Sequence, residues 1–379
     1  MSGYGLTEPV SRTRRFALAA TAAALGMLTA LLVLELVLRM LPVRESLEAP
    51  AVTPERPYLR FRPNSDIVYS AHWNFAIANK VHVNNFGFVN DQDYDPALTV
   101  PLLAVIGDSY VEALMVPYAD TLHGRLAKVV GAQGRVYSFG TSGSALAQYL
   151  AYAKFVRNTF RPDAMIFIVV GNDFDESLLE YKSSPGFHYF RGTLGGGFEL
   201  HLVPFEPSFL GRALRWSALA RYLNYNLQLA GPRRWLLDGR HYAGNVPAEA
   251  NVVRLERSRL AIANFLEVLP QHSGLPPERI AILLDGIRPQ LYDKQALVAT
   301  RDSYFAQMRT HFLRLAADKG YVIVDMQPRF IARYRNEGRR FEWPFDGHWN
   351  SLGHEEAALA VLSSRLLQST DGHYRLRSD

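Results

Sequence analysis

The chain has 379 residues, of which 48% are hydrophobic and 20% charged, with a formal net charge of +5. This balance excludes a disordered chain and leaves enough apolar material for a sizeable core. There is no cysteine, which excludes disulfide scaffolds, thiolate metal sites, a cysteine nucleophile and a lipidated cysteine anchor. The basic excess is spread along the chain with no reader motif, so no nucleic-acid partner is expected.

Residues 16–38 are almost wholly apolar. Twenty-three helical residues reach roughly 35 Å, enough for a hydrocarbon core of ~30 Å. Arg12, Arg14 and Arg15 precede the run, whereas Arg39 and Arg44 behind it are balanced by Glu45 and Glu48. The positive-inside rule then makes residues 1–15 a cytoplasmic tail and residues 16–41 a single-pass anchor, with the body outside, periplasmic or at the cell surface. A cleaved signal peptide would have a shorter apolar stretch and a small-x-small site, which is missing here. Glu35 interrupts the run near its outer end and is spaced to pair with Arg39 in the interfacial region.

Residues 42–99 read as a linker and pre-domain segment. Pro42, Pro50, Pro54 and Pro57 open it, and an irregular or β region rich in Asn and aromatics follows. From residue 100 to 370 a βα rhythm predicts one domain. Strands are expected at 102–106, 136–139, 164–170, 280–284 and 322–325. Helices are expected at 119–130, 146–159, 255–269, 303–319 and 354–367. Such alternation implies βαβ units and a parallel sheet. Residues 176–250 break the rhythm and read as an insertion with one helix near 214–229. Residues 371–379 are a tail.

Four polar clusters follow or flank these elements. In an open parallel sheet the carboxyl ends of the strands form the binding crevice, so clusters distant in sequence can meet there. Gly107-Asp108-Ser109 follows the first strand. This places a hydroxyl, and a backbone N–H at a helix start, at the sheet edge. Ser138 to Gly143 follows the second, where Gly143 offers an unobstructed N–H. Asn172, after the third strand, offers a neutral amide donor. Near the end, Asp346-Gly347-His348-Trp349-Asn350 supplies an imidazole base and an acid to orient it. His354 is a rival base, but its position at a helix start suits packing better. Asn350 or Ser351 is expected to cap the last helix, and Trp349 to be core or a wall of the site. The other histidines lack metal-ligand spacing, so no metal and no cofactor are expected.

Taken together, the four blocks resemble those of SGNH/GDSL hydrolases, in that family's order. The likeness covers about residues 100–180 and 275–368. It extends weakly to the anchor and to Val83-Asn84-Asn85-Phe86-Gly87-Phe88, which is similar to the pre-domain segment of membrane-anchored bacterial relatives. The resemblance implies a flavodoxin-like three-layer sandwich around a five-stranded parallel sheet, here preceded by one transmembrane helix. It implies acyl transfer through an acyl-serine, with Ser109 as nucleophile, His348 as base and Asp346 holding the imidazole. The oxyanion would be received by the N–H groups of Ser109 and Gly143 and by the Asn172 side chain, each worth about 3 kcal/mol of barrier lowering. The sequence departs from the family in placing Asp346 two residues before His348, where the usual spacing is three. The shorter form is similar to that of some polysaccharide O-acetyltransferases of the superfamily.

The expected activity is therefore hydrolysis of small acyl esters, acetyl above all, on a cell-envelope or exported polysaccharide. An O-acyltransferase would use the same site and would need an envelope polysaccharide-assembly partner or a soluble donor. A third reading is a catalytically degenerate glycan-binding or scaffold protein.

Overall fold

The structure, a computed structural model, describes residues 11–209, 211, 215–229, 242–243, 246–247, 251–288, 290–370 and 373–376. The first helix, α1 (Arg12–Arg39), is capped by Ser11, whose hydroxyl accepts from the Arg14 N–H. It is the one helix among the described residues that is long and apolar enough to cross a membrane, and its most apolar stretch is uncovered by the rest of the chain. An antiparallel hairpin follows, β1 (Ser65–Ala71) with β2 (Ile77–Val83).

Next come β3 (Leu102–Gly107), the one-turn helix α2 (Ser109–Glu112), α3 (Leu122–Val130), β4 (Arg135–Gly140), α4 (Leu146–Phe160) and β5 (Ala164–Val169). The insertion contributes a second hairpin, β6 (His188–Gly192) with β7 (Phe198–Leu202), and the short helix α5 (Ala218–Arg221), which runs into a π turn. The chain then continues through α6 (Val252–Ser273), β8 (Ile280–Leu284), α7 (Tyr304–Asp318), β9 (Val322–Asp325) and α8 (Met326–Glu337). A small ladder of β10 (Glu342–Trp343) with β11 (Asp346–Trp349) leads to α9 (Ser351–Leu362).

The five strands β9-β8-β5-β3-β4 form one parallel sheet in that order. Every residue of β3, β4, β5 and β8 is buried. This is why these strands read as unbroken apolar runs rather than alternating ones: both faces of the sheet are covered. Ala104, Ile106, Phe167 and Ile282 face α4, α6 and α7, while Leu103, Val105, Ile168 and Leu283 face α3, α8 and α9. The strand order reverses between β3 and β5, so the crevice of this doubly wound sheet opens at the carboxyl end of β3.

The core strands fall where the apolar runs placed them, but several other elements differ. The helix expected over 214–229 is confined, among the described residues, to α5 and its π turn. The last helix starts at Ser351 rather than His354, because Asn350 caps it by accepting from the Leu352 and Gly353 N–H groups. α8 was not anticipated: only Met326 and Phe330 of it are buried, too short an apolar stripe to register as a period. Residues 42–60 are not a free linker. Val43, Val52 and Leu59 are buried, and Val52 exchanges backbone hydrogen bonds with Phe205. Their prolines prevent regular structure without preventing packing. The segment after β2 is built in as well. Asn84 accepts from the N–H groups of Phe86 and Phe88, and Phe88 lies in the main core.

Candidate active site

Ser109 is positioned by β3 and α2. A Cβ at Gly107 would lie 2.5 Å from a Val111 methyl, so only glycine lets α2 fold back over the strand end. Asp108, not Ser109, caps α2 by accepting from the Tyr110 N–H at 2.9 Å. The Ser109 hydroxyl is thereby released from capping. It lies 2.7 Å from His348 Nε2, across 239 residues of sequence, and 3.4 Å from Asp108 Oδ2.

His348 sits in β11, two residues after Asp346. Side chains at i and i+2 of a strand share a face. The short Asp-x-His spacing is therefore workable: Asp346 Oδ1 receives the hydrogen bond of His348 Nδ1 and, at 2.9 Å, that of the His348 N–H. Burial pulls the imidazole pKa down, but the hydrogen bond and charge of Asp346, with help from Asp108, override it and hold His348 above its ordinary value. For Asp346, burial pushes upward and His348 overrides it, so its carboxyl is held below the usual range. Asp108 is raised by burial to about 6.

A buried network locks β11 in place. Arg288 donates to both Asp285 oxygens, to Glu342 at 3.2 Å, to the Gly347 carbonyl at 3.1 Å and to the Tyr110 hydroxyl at 3.0 Å. Tyr110 in turn donates to the Gly347 carbonyl at 2.9 Å, and its ring lies 5.0 Å from that of His348. Trp349 is fully buried and donates its indole N–H to Asp285 at 2.9 Å. Trp349 was expected as core or a wall of the site, but the roles of Arg288, Asp285, Glu342 and Tyr110 did not emerge from sequence reasoning. One signal was there: Asp285 directly follows β8, at a strand's carboxyl end like the other site residues.

His354 is not a second base. It is buried on α9, its Nδ1 accepts from the Leu122 N–H at 3.2 Å, and burial drives its pKa well down.

Gly143 has a φ of +91°, a backbone that disfavours any residue with a side chain. Its carbonyl accepts from Lys182 Nζ at 3.0 Å, and the same ammonium pairs with Glu176. Glu176 also accepts from the Asn172 amide at 3.0 Å. Gly143 and Asn172 are thus tied into one hydrogen-bonded chain, but neither lines the cleft that holds Ser109 and His348; Ser142 does. Among the described residues, neither the Ser109 N–H nor the Gly143 N–H has an acceptor. Next to them, buried Glu112 accepts from the Ser142 hydroxyl, its other oxygen has no partner, and burial raises it to about 7.

The cleft has a volume of about 850 Å³. Besides Ser109, Ser142, Asp346 and His348, its walls include Arg44, Tyr69, Trp73, Asn226 and Phe345. The Arg44 guanidinium lies 4.4 Å from the centre of the Tyr69 ring. Tyr69, Trp73 and Asn226 were not singled out from sequence, and Arg44 only as a charge flanking the anchor: these four come from the pre-domain segment and the insertion, and carry no motif.

No protein-family profile matches the chain. No curated protein matches it. Among solved structures it is similar to a GDSL-family lipolytic protein from Veillonella parvula, at 10% identity over 69% of this chain and 97% of that one, with a TM-score of 0.36. It is also similar to a GDSL-like lipase, described as putative, from Parabacteroides merdae, at 14% identity over 69% and 93%, with a TM-score of 0.38. A third likeness is to a two-domain esterase active on acetylated mannans, at 10% identity over 69% and 48%, with a TM-score of 0.38. Likenesses this distant decide nothing about the chemistry of this chain.

Proposed function

We propose that this chain is a serine esterase that cleaves a small acyl group, such as acetyl, from a larger alcohol. The observation that carries the reading is the line of Asp346, His348 and Ser109, with 2.7 Å between the base nitrogen and the hydroxyl. Ser109 Oγ attacks the ester carbonyl carbon as His348 Nε2 takes its proton. The carbonyl–alkoxy bond then breaks, and the leaving alcohol takes that proton from His348. Water, deprotonated by the same imidazole, cleaves the acyl-serine and restores the hydroxyl.

The N–H groups of Ser109 and Gly143 are the proposed oxyanion donors. Asn172 Nδ2 carries two hydrogens and gives one to Glu176, so its second is the one proposed to join them. The cleft is far larger than an acetyl group, so the alcohol portion fills most of it. Trp73 and Phe345 offer exposed flat faces of the kind that suit a sugar ring. The proposed setting is outside the cytoplasm, with α1 as the anchor.

The test is acetate release from an aryl acetate by the full chain, together with labelling by a fluorophosphonate. Wild type should release acetate and label at Ser109, and Ser109→Ala should do neither. A Ser109→Ala variant with undiminished hydrolysis would show the reading to be wrong.

A further inference from the structure

The outer end of α1 is not a loose tether. The Glu35 carboxylate accepts from Arg39 Nε at 2.8 Å, from the Ser217 hydroxyl at 2.9 Å, and from the N–H groups of Ala218 and Leu219 at 3.0 and 2.9 Å. Arg39 also donates to the Trp216 carbonyl at 3.0 Å. Leu38 and Val43 are only 4% and 3% exposed, packed with Ala218 against Phe75, Leu219 and Tyr222. Just beyond, the Arg44 N–H donates to Asn226, and Arg221 reaches the carbonyls of Val43 and Arg44.

The residues of this joint are also residues of the cleft. Arg44 and Asn226 line it beside Ser109 and His348. Trp73 lines it too, and its carbonyl accepts from the Tyr222 hydroxyl of the joint at 2.9 Å. Arg44 follows Arg39 by five residues, so it lies at most about 17 Å from the helix end. Residues 16–34 carry no charge and span about 28 Å as helix, matching a hydrocarbon core of ~30 Å. Glu35 to Arg39 then lie at headgroup level, and Arg44 in the cleft wall is within about 17 Å of Arg39. Met40, Trp73 and Trp216 surround this level with large exposed apolar side chains, as residues in contact with a bilayer interface do.

A flexible tether would serve a soluble ester as well as a firm joint does. Fixing the cleft's height and tilt matters only when the substrate is itself held at the same surface, since orientation then acts on every encounter. We propose that the substrate is an ester presented by a membrane-resident amphiphile, whose head group rises from the bilayer into the cleft. This proposal rests on the esterase reading above.

The test uses the full chain in phosphatidylcholine–phosphatidylglycerol vesicles and two substrates with the same ester, 6-O-acetyl methyl glucoside and 6-O-acetyl octadecyl glucoside. Wild type should cleave the bilayer-held ester at least tenfold more efficiently. Glu35→Ala/Leu38→Ser should lose most of that preference while its rate on the soluble ester stays within about twofold. If the double variant fails to fold, seen as loss of both rates, Glu35→Gln alone should still lower the preference. Equal rates in wild type, or a folded joint variant that keeps the full preference, overturn the proposal and leave the esterase reading standing. Cleavage of neither ester by wild type overturns this proposal, and the esterase reading with it if the aryl acetate is also left intact.

Discussion

In the proposed esterase, Ser109 is available for chemistry because its neighbour does the capping. Asp108 satisfies the start of α2, and the serine hydroxyl turns to His348 instead. The imidazole must be neutral to accept that proton, and Asp346 holds its pKa above the ordinary value. The acid limb of kcat/KM is therefore expected above about pH 6.5, the reference value for histidine. Asp346→Asn removes the influence that raises the pKa, so the limb should move to lower pH while kcat falls by about 10²- to 10⁴-fold. A pH profile of both proteins checks this; an unmoved limb would mean that Asp346 does not set the His348 pKa.

At the scale of elements, the active geometry depends on β11, which carries both Asp346 and His348 and has only the two-residue partner β10. Arg288 is the clamp, ion-paired to Asp285 and Glu342, with all three side chains at most 7% exposed. Arg288→Met would leave two buried carboxylates without their cation. A loss of about 3–5 kcal/mol is expected in urea unfolding, since breaking a buried pair leaves charge uncompensated. Asn350 joins β11 to α9: it caps the helix, and its amide donates to the carbonyls of Arg340 and Glu342. Asn350→Ala should cost about 0.5–2 kcal/mol for the cap, and kcat should drop as well because β11 loses its tie to the preceding loop. A stability loss with unchanged kcat would confine Asn350 to the helix.

At the scale of the whole molecule, the absence of cysteine makes topology directly measurable. With α1 as the anchor, a membrane-impermeant maleimide added outside intact cells or spheroplasts should label Glu278→Cys but not Thr13→Cys until the membrane is permeabilised. The reverse pattern would place the body in the cytoplasm. Alkaline carbonate washing should leave the protein in the membrane fraction; release would show that α1 does not span.

Much of the architecture was legible because it follows from local pattern. The apolar runs that became β3, β5, β8 and β9, the long apolar stretch of α1, and the Ser, Asp and His of the site all stand out in one dimension, since burial on both sheet faces and motif chemistry write themselves into consecutive residues. The parts that tertiary structure alone decided depend on neighbours far apart in the chain. Asp346 suits His348 only because β11 is extended, and that strand is held by Arg288 from another segment. The cleft walls come from residues 44, 69, 73, 226 and 345, which share no motif. Glu35 could be paired with Arg39 from spacing, but its grip on Ser217, Ala218 and Leu219 spans more than 180 residues. Periodicity reports which face of an element is buried, and not what covers it.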